Sequence, residues 1–155
     1  MPIDKTTLDT LRQGLVTVLA TIDSTPPIAV IYDHEPGPLD DYPAITVELD
    51  GLERNAPALN EQREETQIGA VDLLTTWWVR VYLPLDPPDQ MEALMLGIFG
   101  GLVGAFDANE RITGTTIQSC GVENAQRKVV RRAGDDIDLL LGEFRVAVWS
   151  QHTAP

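Results

Sequence analysis

The stretch Trp77 to Leu85, WWVRVYLPL, constrains this chain more than any other. Successive side chains of an extended backbone point to opposite sides, so Trp77, Val79, Val81, Leu83 and Leu85 share one face. Trp78, Arg80, Tyr82 and Pro84 share the other, and that face is bulky and amphipathic, suited to meeting a helix or another subunit. The pattern predicts a β-strand with one buried side. Pro84 and the Pro87–Pro88 pair end its ladder, because proline has no N–H to donate. Two adjacent strand residues cannot stack on one ligand, so of Trp77 and Trp78 one belongs to the core and the other, Trp78, is a candidate interface residue.

A helix follows from Pro88 to about Phe106. Met91, Leu94, Met95, Ile98, Leu102 and Phe106 recur at three- and four-residue spacing, while Leu96, Phe99 and Val103 make the opposite flank apolar too, which predicts a helix buried nearly all round. Gly97, Gly100, Gly101 and Gly104 lie inside it, each costing about 1 kcal/mol relative to alanine. Close approach of another backbone would offset that cost, supplied either by the chain's own sheet or by a neighbouring subunit. The apolar run Ala93 to Phe106 is shorter than the ~20 residues that span a bilayer, so no membrane span is expected.

Before this unit, Thr6 to Ile22 reads as a first helix capped by Thr6 or Thr7, with Asp9 in its first turn and an apolar stripe of Leu8, Leu11, Leu15, Val18, Leu19 and Ile22. Ile28 to Asp33 reads as a short strand and Pro43 to Gly51 as a second, with Thr46, Glu48 and Asp50 on a solvated acidic face. Leu52 to Gly69 is charged and without period, which predicts a long mobile loop over about 52–69. After the helix, Thr115 to Glu123 reads as a strand, and Arg127 to Arg132 as either a return strand or a helical turn. The chain closes on a strand ending FRVAVWS, broken by a bulge near Gly142, with a frayed tail at 151–155. The order predicts a single α+β domain over 1–155, with two main helices packed on a mostly antiparallel or mixed sheet.

At 155 residues the core needs no staples, and the single Cys120 has no internal partner. The opening MPIDKTTLDT lacks the charged and apolar regions of a signal peptide, so export is not expected. The formal net charge of −13 argues against binding nucleic acid by neutralising phosphates. It suits a wall past which a polyanion slides without adhering.

No G-x-S-x-G, P-loop or H-E-x-x-H signature is present, and the helix glycines lack the Lys-Ser/Thr pair of a phosphate loop. No catalytic residue, cofactor or metal ligand is therefore assigned. Asp33, His34, Glu35, Asp40 and Asp41 form the one cluster with metal-ligand chemistry, but its spacing matches no EF-hand, Pro36 and Pro38 limit how the loop folds, and a solvated acidic loop is the preferred account of it. The charge layout is uneven. Ten acidic side chains and only Arg54 and Arg63 as cations lie between Asp33 and Glu65, whereas Arg127, Lys128, Arg131 and Arg132 stand together without an acid. Such asymmetry suits association through complementary charge.

Taken together, the capped first helix, YPAITVEL (Tyr42 to Leu49), the charged loop, WWVRVYLPL, the helix in PPDQMEALMLGIFGGLVGAF and the final FRVAVW (Phe144 to Trp149) resemble the tail terminator, or tail completion, proteins of long-tailed bacteriophages and gene-transfer particles. The resemblance implies a non-enzymatic ring, usually a hexamer, that caps the head-proximal end of the tail tube and joins it to the neck. Its partners would be copies of itself, the tail tube protein and a head–tail connector or stopper, with DNA passing unbound. Its location would be the virion, after synthesis in the host cytoplasm. On that reading Arg54, Arg63, Glu64 and Glu65 in the loop, with Arg127, Lys128, Arg131 and Arg132, face subunits or partners. Glu48, Asp50, Glu53, Asp40 and Asp41 would face the channel. Another neck or tail-tube component shares these features. An alternative of another class is a small divalent-metal-dependent enzyme or ligand-binding domain using the loop from Asp33 to Asp41.

Overall fold

A computed structural model describes residues 4–24, 27–34, 36–39, 41–54, 70–108, 117–132, 134 and 137–153. The elements are α1 (Lys5–Leu19), β1 (Val30–Tyr32), β2 (Ala44–Arg54), β3 (Ala70–Pro84), α2 (Pro88–Ala108), β4 (Ile117–Val130) and β5 (Leu139–Thr153). The fold is α+β: one mixed five-stranded sheet in the order β1-β2-β3-β5-β4, with β1 parallel to β2 and every other pair antiparallel.

β3 sits at the centre and carries the alternation that its sequence predicts. Trp77, Val79, Val81 and Leu83 are buried on the helix side, against Leu11, Leu15 and Leu19 of α1, Ile98 and Leu102 of α2, and Phe144 and Val146 of β5. No described helix covers the other face. There Tyr82 joins Leu39, Ala44, Leu139 and Leu141 in a second, smaller cluster at one end of the sheet.

α1 is capped two or three residues earlier than its threonines suggest. Asp4 is the cap: its carboxylate accepts the Thr7 N–H at 3.1 Å, and the Thr7 hydroxyl lies 3.4 Å from the Asp4 N–H. Asp9 therefore lies beyond the first turn, where it pairs with Lys5 at 2.6 Å and with Arg12 instead of meeting the helix dipole.

α2 corrects the expectation of a helix buried all round. Met95, Ile98, Leu102 and Phe106 are buried, but Leu96 is 75% and Val103 38% exposed. Of the apolar flank that the sequence shows, Phe99 packs on Phe144 with ring centres 4.5 Å apart, while Leu96 and Val103 have no cover among the described residues. Among the described residues, the close approach expected of the helix glycines occurs at Gly101 alone, where an added Cβ would meet Ile22 Cγ2 at 3.2 Å; a Cβ added at Gly97, Gly100 or Gly104 would meet none of them within 4 Å.

The tight contact between α2 and the sheet is made by a strand glycine. A Cβ on Gly142 would come within 2.8 Å of both Met95 Sδ and Phe99 Cε1. No bulge occurs there, since Gly142 pairs in unbroken register with Val81 and Arg127. Register shifts fall instead between Leu49 and Gly51, Ile117 and Ser119, and Val122 and Asn124. The last two disguise β4 in the sequence by breaking its alternation. Thr115 to Glu123 and Arg127 to Arg132 were expected to be separate elements. Residues Ile117–Val130 are in fact one 14-residue strand, and Arg131 and Arg132 lie just beyond its end.

Two further boundaries move. Leu52–Arg54 continue β2, paired with Thr75, Leu74 and Leu73, so the expected loop is not a loop over its first three residues. The rest of that expectation, 55–69, lies outside the described residues. The tail is not frayed at Gln151–Thr153, which pair with Asp72, Val71 and Ala70; residues 154–155 lie outside the description.

Candidate functional site

The outer face of the sheet, away from the helices, carries a ladder of charge across four strands. Arg80 at its centre donates from Nε to Glu143 Oε2 at 3.0 Å and from Nη1 to Glu48 Oε2 at 3.0 Å. Glu143 Oε1 accepts from Gln126 Nε2 at 2.8 Å and Lys128 Nζ at 3.1 Å. The register dictates this grouping, because Arg80 stands opposite Thr46 and Glu143, and Glu143 stands opposite Gln126. Burial opposes the charging of the Glu143 carboxyl, but the hydrogen bonds from Arg80, Gln126 and Lys128 outweigh it and hold its pKa below the usual carboxylate value. Arg80 is likewise opposed by desolvation, and its bond to Glu143 raises its pKa.

Trp78 lies beside this ladder with the guanidinium carbons of Arg80 and Arg145 at 5.6 and 5.9 Å from its ring, so its exposed face meets cations of its own chain. Asp50 and Glu123 flank Arg145 at 3.4 and 3.6 Å. Glu48 and Asp50 both reach this outer network, and Glu53 is exposed opposite Leu74. Three of the acidic residues expected to face a channel thus share one side of β2. Asp41 is exposed in the turn before β2, and Asp40 lies outside the described residues, as do Arg63, Glu64 and Glu65. Arg54 is exposed at the end of β2.

The four grouped cations divide between two surfaces, and each has a partner. Arg127 points to the helix side, where its guanidinium forms a two-pronged pair with the Glu92 carboxylate of α2. Lys128 points to the outer side and Glu143. Arg131 pairs with Asp138 at 3.2 Å across the β4–β5 connection. Arg132 donates to the carbonyls of Pro36 and Gly37 at 2.9 and 3.0 Å and lies 5.2 Å from the Tyr82 ring centre, pinning the segment that covers the second cluster. Linear proximity suggested one patch; strand alternation splits it.

A cleft of 520 Å³ on α2 is lined by Asp23, Ser24, Gln90, Ala93, Leu94 and Gly97, and two more flank the helices among the described residues. One of 580 Å³ opens between α1 and β1–β2, lined by Lys5, Asp9, Arg12, Asp33, His34 and Glu48 over Leu8, Leu49 and Trp77. In it Asp33 Oδ1 lies 2.8 Å from His34 Nδ1, and Asp33 Oδ2 accepts from Gln13 at 3.2 Å. The bond with His34 is the main cause that lowers the Asp33 pKa. Both carboxylate oxygens are thus engaged, and no three metal-ligating side chains converge among the described residues. Glu35 and Asp40, named with that cluster, lie outside the description.

The second cleft, 720 Å³, lies where the start of α2 meets the ends of β4 and β5, lined by Pro84, Leu85, Pro88, Ile137 and the Arg127–Glu92 pair. Sequence reasoning missed it, since its walls come from three separated stretches and only Ile137, exposed in a turn, gives a hint. It also missed the ladder centred on Glu143, whose signal is a lone acid in an apolar strand.

The outward side of α2 completes the inventory: Leu96, Gly97, Gly100, Val103 and Gly104 are all exposed. The 21-residue helix is longer than the apolar run that the sequence suggests, and by length and composition it could cross a membrane. Its Met95, Ile98, Leu102 and Phe106 stripe is packed on the sheet. No protein-family model matches the chain, and a search of curated proteins finds no significant match.

Proposed function

We propose that the chain is a structural, non-enzymatic subunit of a closed ring, of the kind that terminates a phage-type tail tube and joins it to the neck. The observation that carries this reading is the outward side of α2. A Cβ added at any of three glycines there would meet nothing within 4 Å among the described residues, and Leu96 and Val103 are exposed beside them. A helix bears the cost of such glycines, about 1 kcal/mol each, most readily where another backbone approaches closely. In a cyclic ring that approach is heterologous, one patch meeting a different patch on the next copy. The acidic outer face of β2, with Glu48, Asp50 and Glu53, then suits a channel that DNA traverses without sticking. Partners on this reading are copies of the chain, a tube protein and a connector; no cofactor takes part, and the site of action is the virion.

The experiment is a mass measurement across protein concentration, with negative-stain electron microscopy of the assembled species. Discrete rings are expected, and Leu96→Glu combined with Val103→Glu should leave a folded monomer by circular dichroism. Long tubes would reassign the chain to the tube itself. A wild-type protein that stays monomeric at every concentration overturns the reading. Retention of α2 on neutral lipid vesicles would assign its exposed side to a membrane instead.

A further inference from the structure

We infer that the open edge of β4 is a docking site for an acidic, extended segment of a partner protein, which adds to the sheet as a sixth strand. This goes beyond the ring reading and does not depend on it. β4 is the last strand in the sheet order: β5 lies on one side of it and no described strand on the other. A strand in that position presents a row of unpaired main-chain N–H and C=O groups, a template for strand addition. The opposite edge, β1, offers only three residues.

The two halves of β4 differ. The first contains both register shifts, which disrupt a ladder, whereas Asn124 to Val130 pair regularly with Arg145 to Leu139. That regular half is the part able to accept a partner. It carries no acid, and it presents Arg127 on the helix side, Lys128 on the outer side, and then Val129, which is 51% exposed.

A strand laid beside it would set side chains opposite these residues in turn. Arg127 and Lys128 keep their pairs with Glu92 and Glu143, but both side chains are 46% exposed and retain N–H donors for a second carboxylate, so carboxylates suit the positions facing them and β-branched apolar residues those facing Val129 and Val130. The neighbouring cleft lined by Pro84, Leu85, Pro88 and Ile137 gives an apolar side chain at the end of such a segment a place to lie. A second copy of this edge is a poor occupant. Two β4 edges aligned through Arg127 and Lys128 would oppose cation to cation.

The probe is a capped octapeptide with two central glutamates flanked on both sides by valine and threonine, titrated into the full-length isotope-labelled protein by NMR. Saturable shifts and slowed amide exchange are expected at Ala125–Val130. The same peptide with lysine for glutamate should bind at least about tenfold more weakly, as should one N-methylated at alternate amides. Arg127→Glu with Lys128→Glu, checked for folding by circular dichroism, should invert the preference between the two peptides. Equal binding of the glutamate and lysine peptides, no binding of either, or shifts confined to α2 or β1 overturns the inference. Peptide binding by a chain that never forms rings would overturn the ring reading alone, and rings that ignore the peptide would overturn only this one.

Discussion

Glu143 is the residue on which the outer face turns. It is 8% exposed and receives Arg80, Gln126 and Lys128, so removing its charge takes the paired carboxylate from Lys128 and leaves Arg80 with Glu48 alone. Glu143→Gln should cost about 1–3 kcal/mol, read as a lower denaturant midpoint with unchanged slope. The sign of its pH dependence follows from its depressed pKa. Its contribution is complete above the unfolded carboxylate value and is lost as pH falls through the lower folded value. The wild type should therefore lose more stability than Glu143→Gln on acidification below about pH 4.5; parallel curves would contradict the ladder. Thr46 gives the opposite test. Its hydroxyl is fully buried with no partner among the described residues, so Thr46→Val should raise stability by about 1 kcal/mol in thermal unfolding.

At the scale of elements, two glycine positions separate packing inside the chain from packing beyond it. Gly142 lets α2 lie close on β5, and Gly142→Ala should destabilise by about 1–3 kcal/mol through overpacking against Met95 and Phe99. Gly100 has open space around it, so Gly100→Ala should stabilise the isolated chain by roughly 0.5–1 kcal/mol. If α2 packs against a neighbour as proposed, the same change weakens assembly, and comparing unfolding with assembled mass separates the effects. At the start of α1, Asp4→Ala should cost about 1 kcal/mol, since it removes the acceptor of the Thr7 N–H. Both helices were legible from apolar spacing. The cap was not, because Asp4, Thr6 and Thr7 are all competent caps and only the backbone geometry at Asp4 distinguishes them.

For the whole molecule, the acidic balance sets the behaviour. Self-repulsion in a chain of net charge −13 falls as salt shortens the Debye length, so moderate salt should raise the melting temperature of the monomer and favour self-association. A melting temperature independent of salt would mean that the internal pairs, and not the net charge, control stability. The local and periodic part was set by the sequence alone: the β3 alternation, the positions of the two helices and the α+β class, each fixed by neighbours within a few residues, together with the acidic balance. Long-range contacts make β1 run parallel at the sheet edge, carry β4 as one strand through two register shifts, and send four cations that are close in the chain to different surfaces. They also leave Leu96 and Val103 of an apolar helix exposed. These are outcomes of register and crossing geometry, which depend on residues far apart in the chain and leave no period in the sequence to read.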